Sequence, residues 1–275
     1  MSRPLSRGRN VFVPGLVLAC ALLVSSIAGA LDTPLQIGQY AHTSWTVRDG
    51  YSPGLVFAIV QTPDGYLWLG GEYGLFRFDG LRFKPWQPPA GMKLPSNPYS
   101  LLVARDGTLW IGTFEGLASW DGTKLTEYPE IEKGFVTSLL EDRDGTIWAG
   151  VLANKGRLCE VRAGRAKCHL QDGAFGAFVW SLAEDASGVL WVGAESGLWR
   201  WKPGSPERFE TSGGRVGDLI TVDGQLLFGM RGAGLRRING PVQAVAAVLK
   251  RERRGVPADR HADVIDGRDQ VVELR

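Results

Sequence analysis

The amino-acid sequence predicts an all-β fold made of about five repeated four-stranded units, and three observations support this class. The first is a recurrent stretch, which reads DGYLWLGGEYGLFRFDG at residues 64–80 and DGTLWIGTFEGLASWDG at residues 106–122. The second is a regular spacing of 36 to 43 residues between its signature positions, which are Trp68, Trp110, Trp148, Trp191 and then Leu227. The third is a glycine density that a helix would not tolerate.

Each unit has the same internal order. A β-rich run such as LVFAIVQT (55–62) or FVTSLLED (135–142) leads through a Gly-containing turn into the tryptophan run, and a second turn precedes a last short strand. Asp-Gly between strands is the strongest short hairpin signal, and four antiparallel strands in about 40 residues are typical of a propeller blade. We therefore expect a β-propeller in which the glycines form turns and the tryptophan rings fill the space between blades.

The first thirty residues are predicted to be a secretory signal peptide. Arg3, Arg7 and Arg9 precede an apolar run, and Ala28–Ala30 forms a small-residue cleavage pattern. The alternative is an uncleaved membrane anchor, because an apolar run of about 17 residues is borderline for spanning a bilayer. Cleavage would leave a near-neutral, periplasmic or secreted chain without basic clusters, which gives no support for nucleic-acid binding.

The repeated runs resemble those of a known family. YLWLGGEYGLFRFDG, TLWIGTFEGLASWDG and VLWVGAESGLWRW resemble two-component regulator propeller repeats, and the opening QYAHTSWTVRDG is similar to the start of the periplasmic sensor half of such regulators. The resemblance covers residues 36–240. It implies a seven-bladed ring, a small-molecule or carbohydrate ligand, and an output partner such as a histidine kinase. It implies no cofactor.

The end of the chain departs from the family pattern. Residues 42–48 align with the outermost strand of a blade and would need three partner strands from the C-terminal end. Residues 241–275 contain no aromatic residue, although aromatic residues make up 10% of the chain. We therefore expect a truncated seven-bladed ring, with the propeller at residues 31–240 and a frame-shifted or disordered tail at 241–275. A true five-bladed protein with a solvated tail is the alternative.

Candidate ligand-binding residues lie in the loop after each tryptophan run. Turn chemistry does not require their side chains, and binding residues concentrate on such loops above a rigid scaffold. Solvated loop surface is the alternative interpretation. Trp180, which we align with Ala58, Ser100 and Thr137, either lines the central channel or packs. The remaining candidates are Glu72, Tyr73, Phe114, Glu115, Asn154, Lys155, Glu195 and Arg231.

Catalytic and metal sites are not expected. DRDGTIW (142–148) is similar to the Asp-box turn of sialidases, but the catalytic groups of those enzymes have no counterpart here. Asp64, Asp106 and Asp144 are interpreted as turn formers. The histidines, at positions 42, 169 and 261, are far apart and have no metal-ligand spacing. The predicted function is a non-enzymatic extracytoplasmic sensor. The alternatives are a secreted protein-interaction scaffold, a truncated non-functional sensor fragment, and a propeller lyase or hydrolase.

The two cysteines that follow the predicted signal peptide are expected to form a disulfide. A two-residue turn at Ala163-Gly164 places Cys159 opposite Cys168 and Glu160 opposite Lys167. The cysteines would then form a non-hydrogen-bonded pair with Cα atoms about 4.5 Å apart, close enough for a disulfide. An exported chain would fold in an oxidising compartment, where such a bond persists. Two free thiols are the alternative.

Overall fold

The computed structural model describes residues 44–46, 54–131, 133–169, 172–203, 205–209, 211, 214–230 and 234–238. Every strand described below lies within residues 46–275. The predicted signal peptide, the tail at 241–275 and Arg231 lie outside the described residues, as does most of the expected strand at 42–48. Residues 44–46 carry no strand.

The described chain is an all-β propeller of five successive antiparallel sheets, which confirms the predicted fold class. Besides strands, it contains one short 3-10 helix, Pro129–Ile131. Blade 1 contains β1 (Val56–Gln61), β2 (Leu67–Gly71), β3 (Gly74–Phe78) and β4 (Phe83–Pro85), and blade 2 contains β5 (Pro98–Val103), β6 (Leu109–Thr113), β7 (Gly116–Trp120) and β8 (Leu125–Glu127). Blade 3 contains β9 (Phe135–Glu141), β10 (Ile147–Leu152), β11 (Arg157–Arg162) and β12 (Arg165–His169), and blade 4 contains β13 (Val179–Glu184), β14 (Leu190–Ala194), β15 (Gly197–Trp201) and β16 (Glu207–Phe209). Blade 5 contains β17 (Val216–Val222), β18 (Gln225–Met230) and β19 (Gly234–Arg237).

Strand order within each blade follows chain order. Four blades have four strands, and three strands of blade 5 are described. The first strand of each blade packs against the first strand of the next, in the series β1, β5, β9, β13 and β17. The turns between first and second strands define the hairpin face. The loops between second and third strands, together with the blade-to-blade connections, define the opposite loop face.

The repeated glycines have two different roles, and this corrects the expectation that all of them form turns. Gly65 adopts φ +88° in the first hairpin of blade 1, which is the left-handed conformation expected at such a turn. Gly112, in contrast, lies inside β6. A Cβ there would lie 2.1 Å from Ser100 Oγ and 2.6 Å from Val136 Cγ1 of blade 3, so only glycine allows the blades to approach. Gly150 and Gly193 occupy the same position in β10 and β14.

A β-bulge near the start of each first strand corrects the alignment of Trp180. The bulged residue is Trp180 in β13 and, by the same shift of register, Phe57, Tyr99, Thr137 and Gly217 in the other blades. Ala58 and Ser100, the residues expected to align with Trp180, are paired with Gly70 and Gly112 one residue later. A bulge redirects the extra side chain. The register therefore places Phe57, Tyr99 and Trp180 at the same bulge position of their blades.

The four repeated tryptophans lie between blades. Each residue is 4% to 8% exposed and clusters with the second strand of the following blade. The partners are Leu109 and Ile111 for Trp68, Ile147 and Ala149 for Trp110, Leu190 and Val192 for Trp148, and Leu226 and Phe228 for Trp191. This is the packing position expected of a repeated ring that joins neighbouring blades.

A carboxylate in the first hairpin holds the indole of blades 3 and 4. Asp142 Oδ2 accepts a hydrogen bond from Trp148 Nε1 at 2.8 Å, while its Oδ1 accepts from the backbone N–H of Thr146. Asp185 and Trp191 repeat this arrangement. The sequence pattern predicts neither role: Asp144 is the expected turn former of blade 3, but Asp142 accepts the hydrogen bonds that organise this turn. Asp64 and Asp106 do accept backbone hydrogen bonds inside their turns.

The cysteine pair has the register that the turn predicts. Arg162 pairs with Arg165, Glu160 with Lys167, and Cys159 with Cys168 across β11 and β12. The two sulfur atoms form a disulfide, with Cα atoms 3.9 Å apart. Cys159 is fully buried in the cluster between blades 2 and 3. The bond therefore fastens the outer edge of blade 3 to its interior.

Candidate functional site

A cleft of about 830 Å³ opens on the loop face where blades 2, 3 and 4 meet. Three phenylalanines and three basic residues contribute to its walls, and we call it the aromatic–basic cleft. No acidic residue is among its described lining residues. The lining residues are Phe114, Lys133, Phe135, Leu152, Ala153, Asn154, Lys155, Arg157, Ala177 and Phe178.

The aromatic wall is a continuous set of ring contacts. Phe114, in the β6–β7 loop, stacks on Phe135 with ring centroids 4.6 Å apart. Tyr99 meets Phe135 edge-on at 4.5 Å, and Phe57 extends the contact to blade 1 through Tyr99 at 5.1 Å. Phe114 is 40% exposed. The bulge positions of blades 1 and 2 therefore support an apolar platform that faces solvent on the loop face.

Trp180 supports the opposite wall. Its ring stacks on Phe178 with centroids 4.3 Å apart and an interplanar angle of 5°. The guanidinium of Arg215 lies over the indole, 4.7 Å from the ring centroid. The indole Nε1 is buried and makes no hydrogen bond to a described atom. Trp180 thus packs beneath Phe178 rather than lining the cleft itself.

None of the basic residues of the cleft forms an ion pair with a described carboxylate, although Lys133 also borders the neighbouring cleft that Glu115 and Glu127 line. Within the described chain, no carboxylate oxygen lies within 4.0 Å of the side-chain nitrogens of Lys133, Lys155 or Arg157. Lys133 and Lys155 are exposed. Arg157 is half-buried, and its Nε–H has no acceptor among the described groups. Lys133 also has a left-handed backbone, with φ 60°. Unpaired cations in a cleft create a local positive potential.

Two predicted ligand-binding residues instead hold the fold of the loop face. Glu195 Oε2 accepts a hydrogen bond of 2.7 Å from the backbone N–H of Ala177, and Glu72 Oε2 accepts one of 3.4 Å from Leu55. Both carboxylates lie against a left-handed glycine, which is Gly176 or Gly54. Their carboxylates fasten the entry of the first strand to the loop of the same blade, so we assign them a role in the fold.

The remaining predicted residues are dispersed. The structure brings Phe114, Asn154 and Lys155 together in the aromatic–basic cleft. Tyr73 lines a separate cleft of about 400 Å³ beside the Pro-rich connection 85–98, and Glu115 lines a third of about 460 Å³. Three of the predicted residues therefore meet in the aromatic–basic cleft, whereas Tyr73 and Glu115 line other clefts of the loop face.

Four cleft residues were not predicted, namely Lys133, Phe135, Arg157 and Phe178. Phe135 and Phe178 each stand 13 residues before a repeated tryptophan, where the other units have Leu55 and Asn97. This shared repeat position was a signal that sequence alignment of the units could have used. Lys133 and Arg157 lie in a connection and at the start of β11, where the repeats vary, and only the packing of blades brings them together.

Among the described residues, no group of three or more His, Cys, Asp or Glu side chains is arranged to hold a metal ion. His169 Nε2–H donates a hydrogen bond to Glu160 Oε1 at 3.1 Å, and the ring packs beside Trp201 with ring centroids 5.0 Å apart. The same part of the chain contains no helix with the length and apolar character needed to cross a bilayer.

Four segments of the chain match a family model described as the two component regulator propeller. They are residues 50–73, 93–115, 131–152 and 173–196, and each ends in or beside a loop of the loop face. Phe114, Lys133, Phe135 and Phe178 lie inside matched segments. No curated protein matches the chain in sequence.

Solved structures similar to this chain are propellers of low sequence identity. A streptogramin B lyase is 18% identical, with a TM-score of 0.59 over 70% of this chain and 68% of that chain. Virginiamycin B lyase from Staphylococcus aureus is 15% identical, with a TM-score of 0.54 over 67% and 66%. PorZ, a surface component of the type-IX secretion system of Porphyromonas gingivalis, is 14% identical, with a TM-score of 0.55 over 70% and 33%. At these identities the likeness establishes the fold alone.

Proposed function

Because this chain belongs to the two-component regulator propeller family, we propose that it is the extracytoplasmic ligand-sensing module of a bacterial signal-transduction system. It acts by binding rather than by catalysis. Its ligand is a small molecule or an oligosaccharide, and an output partner such as a histidine kinase receives the signal.

The aromatic–basic cleft is the observation that carries this proposal. Its volume of about 830 Å³ falls within the roughly 300–1,000 Å³ typical of ligand pockets, and it combines apolar walls with a few polar groups. The three blades that form it share the same tryptophan and glycine framework, yet their loops differ in sequence and length. A constant scaffold with divergent loops is the usual arrangement of a binding site.

The position of the cleft supports a way to transmit binding. Blade 2 contributes Phe114, blade 3 contributes Lys155, and blade 4 contributes Phe178. A ligand that contacts all three favours one arrangement of these blades over others, because a ligand shifts a conformational equilibrium by its differential affinity for the two states. An output partner that contacts the same blades would then receive a changed surface.

The disulfide supports an extracytoplasmic location. Cys159 and Cys168 are bonded in the structure, and such bonds persist mainly in oxidising compartments. Export through the predicted signal peptide, either with cleavage or as an uncleaved anchor, is consistent with this bond. Both arrangements place the propeller outside the cytoplasm.

A thermal-shift screen of the purified chain tests the proposal. The panel contains sugars, oligosaccharides, amino acids, organic acids and short peptides. We expect at least one compound class to raise Tm in the wild type but not in Phe114→Ala/Lys155→Gln, because a ligand that binds only the folded state stabilises it. The matched control is Tyr73→Ala, which removes an exposed ring from a different cleft.

The outcomes separate the candidate functions. A shift that persists in the double variant would place the ligand elsewhere and overturn this site. The scaffold alternative gains its support from Leu55 and Ile59 of blade 1, which are 67% and 58% exposed. It predicts that no small compound raises Tm and that only a protein or peptide binds, in a manner sensitive to Ile59→Ser.

A further inference from the structure

We infer that the aromatic–basic cleft binds an acidic oligosaccharide, in which a pyranose ring lies on the phenylalanine wall and its anionic substituent reaches the basic residues. This inference rests on the proposed function and names the ligand class of the same site. The shared chemistry is an anionic pyranose, whether the charge is carried by a uronic carboxylate or by a sulfate ester.

The charge of the cleft favours an anionic ligand. Lys133, Lys155 and Arg157 come from two separate segments and converge on one cleft without a carboxylate partner in the described chain. Elsewhere in the molecule, Arg105, Arg143 and Arg162 are each paired with a glutamate. Like charges that gather without counter-charges repel one another, and an anionic ligand would relieve this repulsion.

Arg157 is placed for a directed contact. Its guanidinium packs against Gly134, where an added Cβ would lie 2.8 Å from Nη2 and 2.5 Å from Val151 Cγ1, so a larger residue there would displace these side chains. The Nε atom has no described acceptor. A planar guanidinium offers parallel N–H donors that match the two oxygens of a carboxylate or a sulfate, which a lysine does not.

The aromatic wall selects a ring with an apolar face. Phe114 and Phe135 present stacked rings, and Phe178, which stacks on Trp180, lines the same cleft from blade 4. Phenylalanine has no hydrogen-bonding group, so these rings offer only flat apolar surface. The axial C–H groups of a pyranose form such an apolar face. Its equatorial hydroxyls then point toward the rim, where the exposed amide of Asn154 supplies both a donor and an acceptor.

The shape of the cleft favours an oligosaccharide over a small free anion. Its volume of about 830 Å³ is far larger than an inorganic anion requires, and it is bounded by side chains from three blades. A free phosphate or sulfate would use the cations but leave the three phenylalanine rings exposed. A neutral sugar would use the rings but leave the three positive charges unpaired.

The test is isothermal titration of the full chain with matched acid and ester probes. The carboxylate probes are trimers of galacturonic, glucuronic and mannuronic acid, each compared with its neutral methyl ester. A sulfated galactose trimer and its unsulfated parent form the sulfate arm. We expect one acid to bind at least about tenfold more tightly than its neutral counterpart, with an affinity that falls as salt rises from about 0.05 to 0.5 M.

Variants show whether the cleft is responsible. Lys155→Gln and Arg157→Gln should each weaken the acid by about fivefold or more and leave the ester nearly unchanged, whereas Phe114→Ala should weaken both. Lys202→Gln removes the same charge from an exposed position outside the cleft and should change neither. Circular dichroism melting of every variant shows that the fold is retained.

Three results would overturn the inference. They are equal binding of acid and neutral counterpart, acid binding that Lys155→Gln and Arg157→Gln leave unchanged, and no binding by any probe. The first leaves a neutral-sugar sensor, so that the proposed function survives. The proposed function fails only when the broader thermal-shift screen also finds no ligand that depends on Phe114 and Lys155.

Discussion

At the scale of single residues, the repeated tryptophans differ in how their indole nitrogen is satisfied. Asp142 and Asp185 accept from Trp148 and Trp191. Thr62 Oγ1 takes this role for Trp68 at 3.0 Å. In blade 2 the equivalent residue is Ala104, and Trp110 Nε1 is buried without a described acceptor. The sequence shows the tryptophan repeat plainly. The residue six positions before each tryptophan, in contrast, varies: threonine or aspartate supplies an acceptor for the indole nitrogen, and alanine supplies none.

Removing the carboxylate of Asp142 should destabilise the fold. Asp142→Ala leaves Trp148 Nε1 and the backbone N–H of Thr146 without their acceptor. A buried donor left unsatisfied costs about 1–3 kcal/mol, so we expect a loss of this order in the free energy of unfolding, measured by urea denaturation. Asp144→Ala is the matched control, since no described group donates to its exposed carboxylate. Equal losses from both variants would contradict this role.

Stability should fall when the pH drops below about 4. Burial alone would raise the pKa values of Asp142 and Asp185. Hydrogen bonds outweigh it and hold both pKa values below the ordinary 3.8; they come from the Ser187 hydroxyl in the case of Asp185, and from the tryptophan ring and the backbone in both. Carboxylates with a lowered pKa stabilise the fold above their unfolded pKa, and this contribution is lost as the pH falls through the folded pKa. Urea denaturation between pH 3 and about 7 measures it. Asp142→Asn/Asp185→Asn should flatten the acid limb, and an unchanged limb would contradict the assignment.

At the scale of elements, the β11–β12 hairpin combines a short turn with a disulfide. Replacing both Cys159 and Cys168 by alanine should lower the free energy of unfolding by about 2–3 kcal/mol, because the bond restricts the unfolded chain. Chemical denaturation measures the loss. Mass spectrometry of the alkylated, non-reduced wild type should find neither of these two thiols modified. Modification of both in the folded, exported chain would contradict the bonded pair.

The elements could largely be predicted from the sequence, whereas their exact register could not. The Ala163-Gly164 turn fixes a two-residue hairpin, so the pairing of Cys159 with Cys168 follows from counting. The bulge in each first strand has no such signature, because it depends on the fit between neighbouring blades. For that reason Trp180 was aligned one residue away from Phe57 and Tyr99.

The candidate site was predicted less well for a related reason. Loop position suggested Phe114, Asn154 and Lys155, and these three do meet. Glu72 and Glu195 were chosen by the same criterion, although their carboxylates bind backbone N–H groups of their own blades. Sequence position indicates which residues lie on a loop. It does not indicate whether a carboxylate turns outward to a ligand or inward to the backbone.

At the scale of the whole molecule, arginines join successive blades across the hairpin face. Arg143 of blade 3 pairs with Glu184 and donates to the carbonyls of Asp185 and Ala186 in blade 4. Arg105 makes the same contacts from blade 2 to Glu141 and the hairpin of blade 3. These repeated contacts connect three consecutive blades, and the aromatic–basic cleft lies on the opposite face of the same blades.

Removing one of these arginines should weaken the contact between blades. Arg143→Ala breaks an exposed ion pair and the hydrogen bonds from the guanidinium to two carbonyls, so we expect a loss of about 1–2 kcal/mol in the free energy of unfolding. Arg143→Lys should recover little of it, because an ammonium lacks the planar fork that reaches two carbonyls. Arg82→Ala, at an exposed turn, is the control. Full recovery by lysine would show that charge alone matters.

The account of function depends on ligand binding at the aromatic–basic cleft. The most direct measurement is hydrogen–deuterium exchange by mass spectrometry, with and without the compound that gives the largest thermal shift. We expect slower exchange confined to residues 133–136, 152–157 and 177–180, where blades 2, 3 and 4 meet around Phe114. Protection at the connection 85–98 or on the hairpin face, with no change in those three segments, would contradict it.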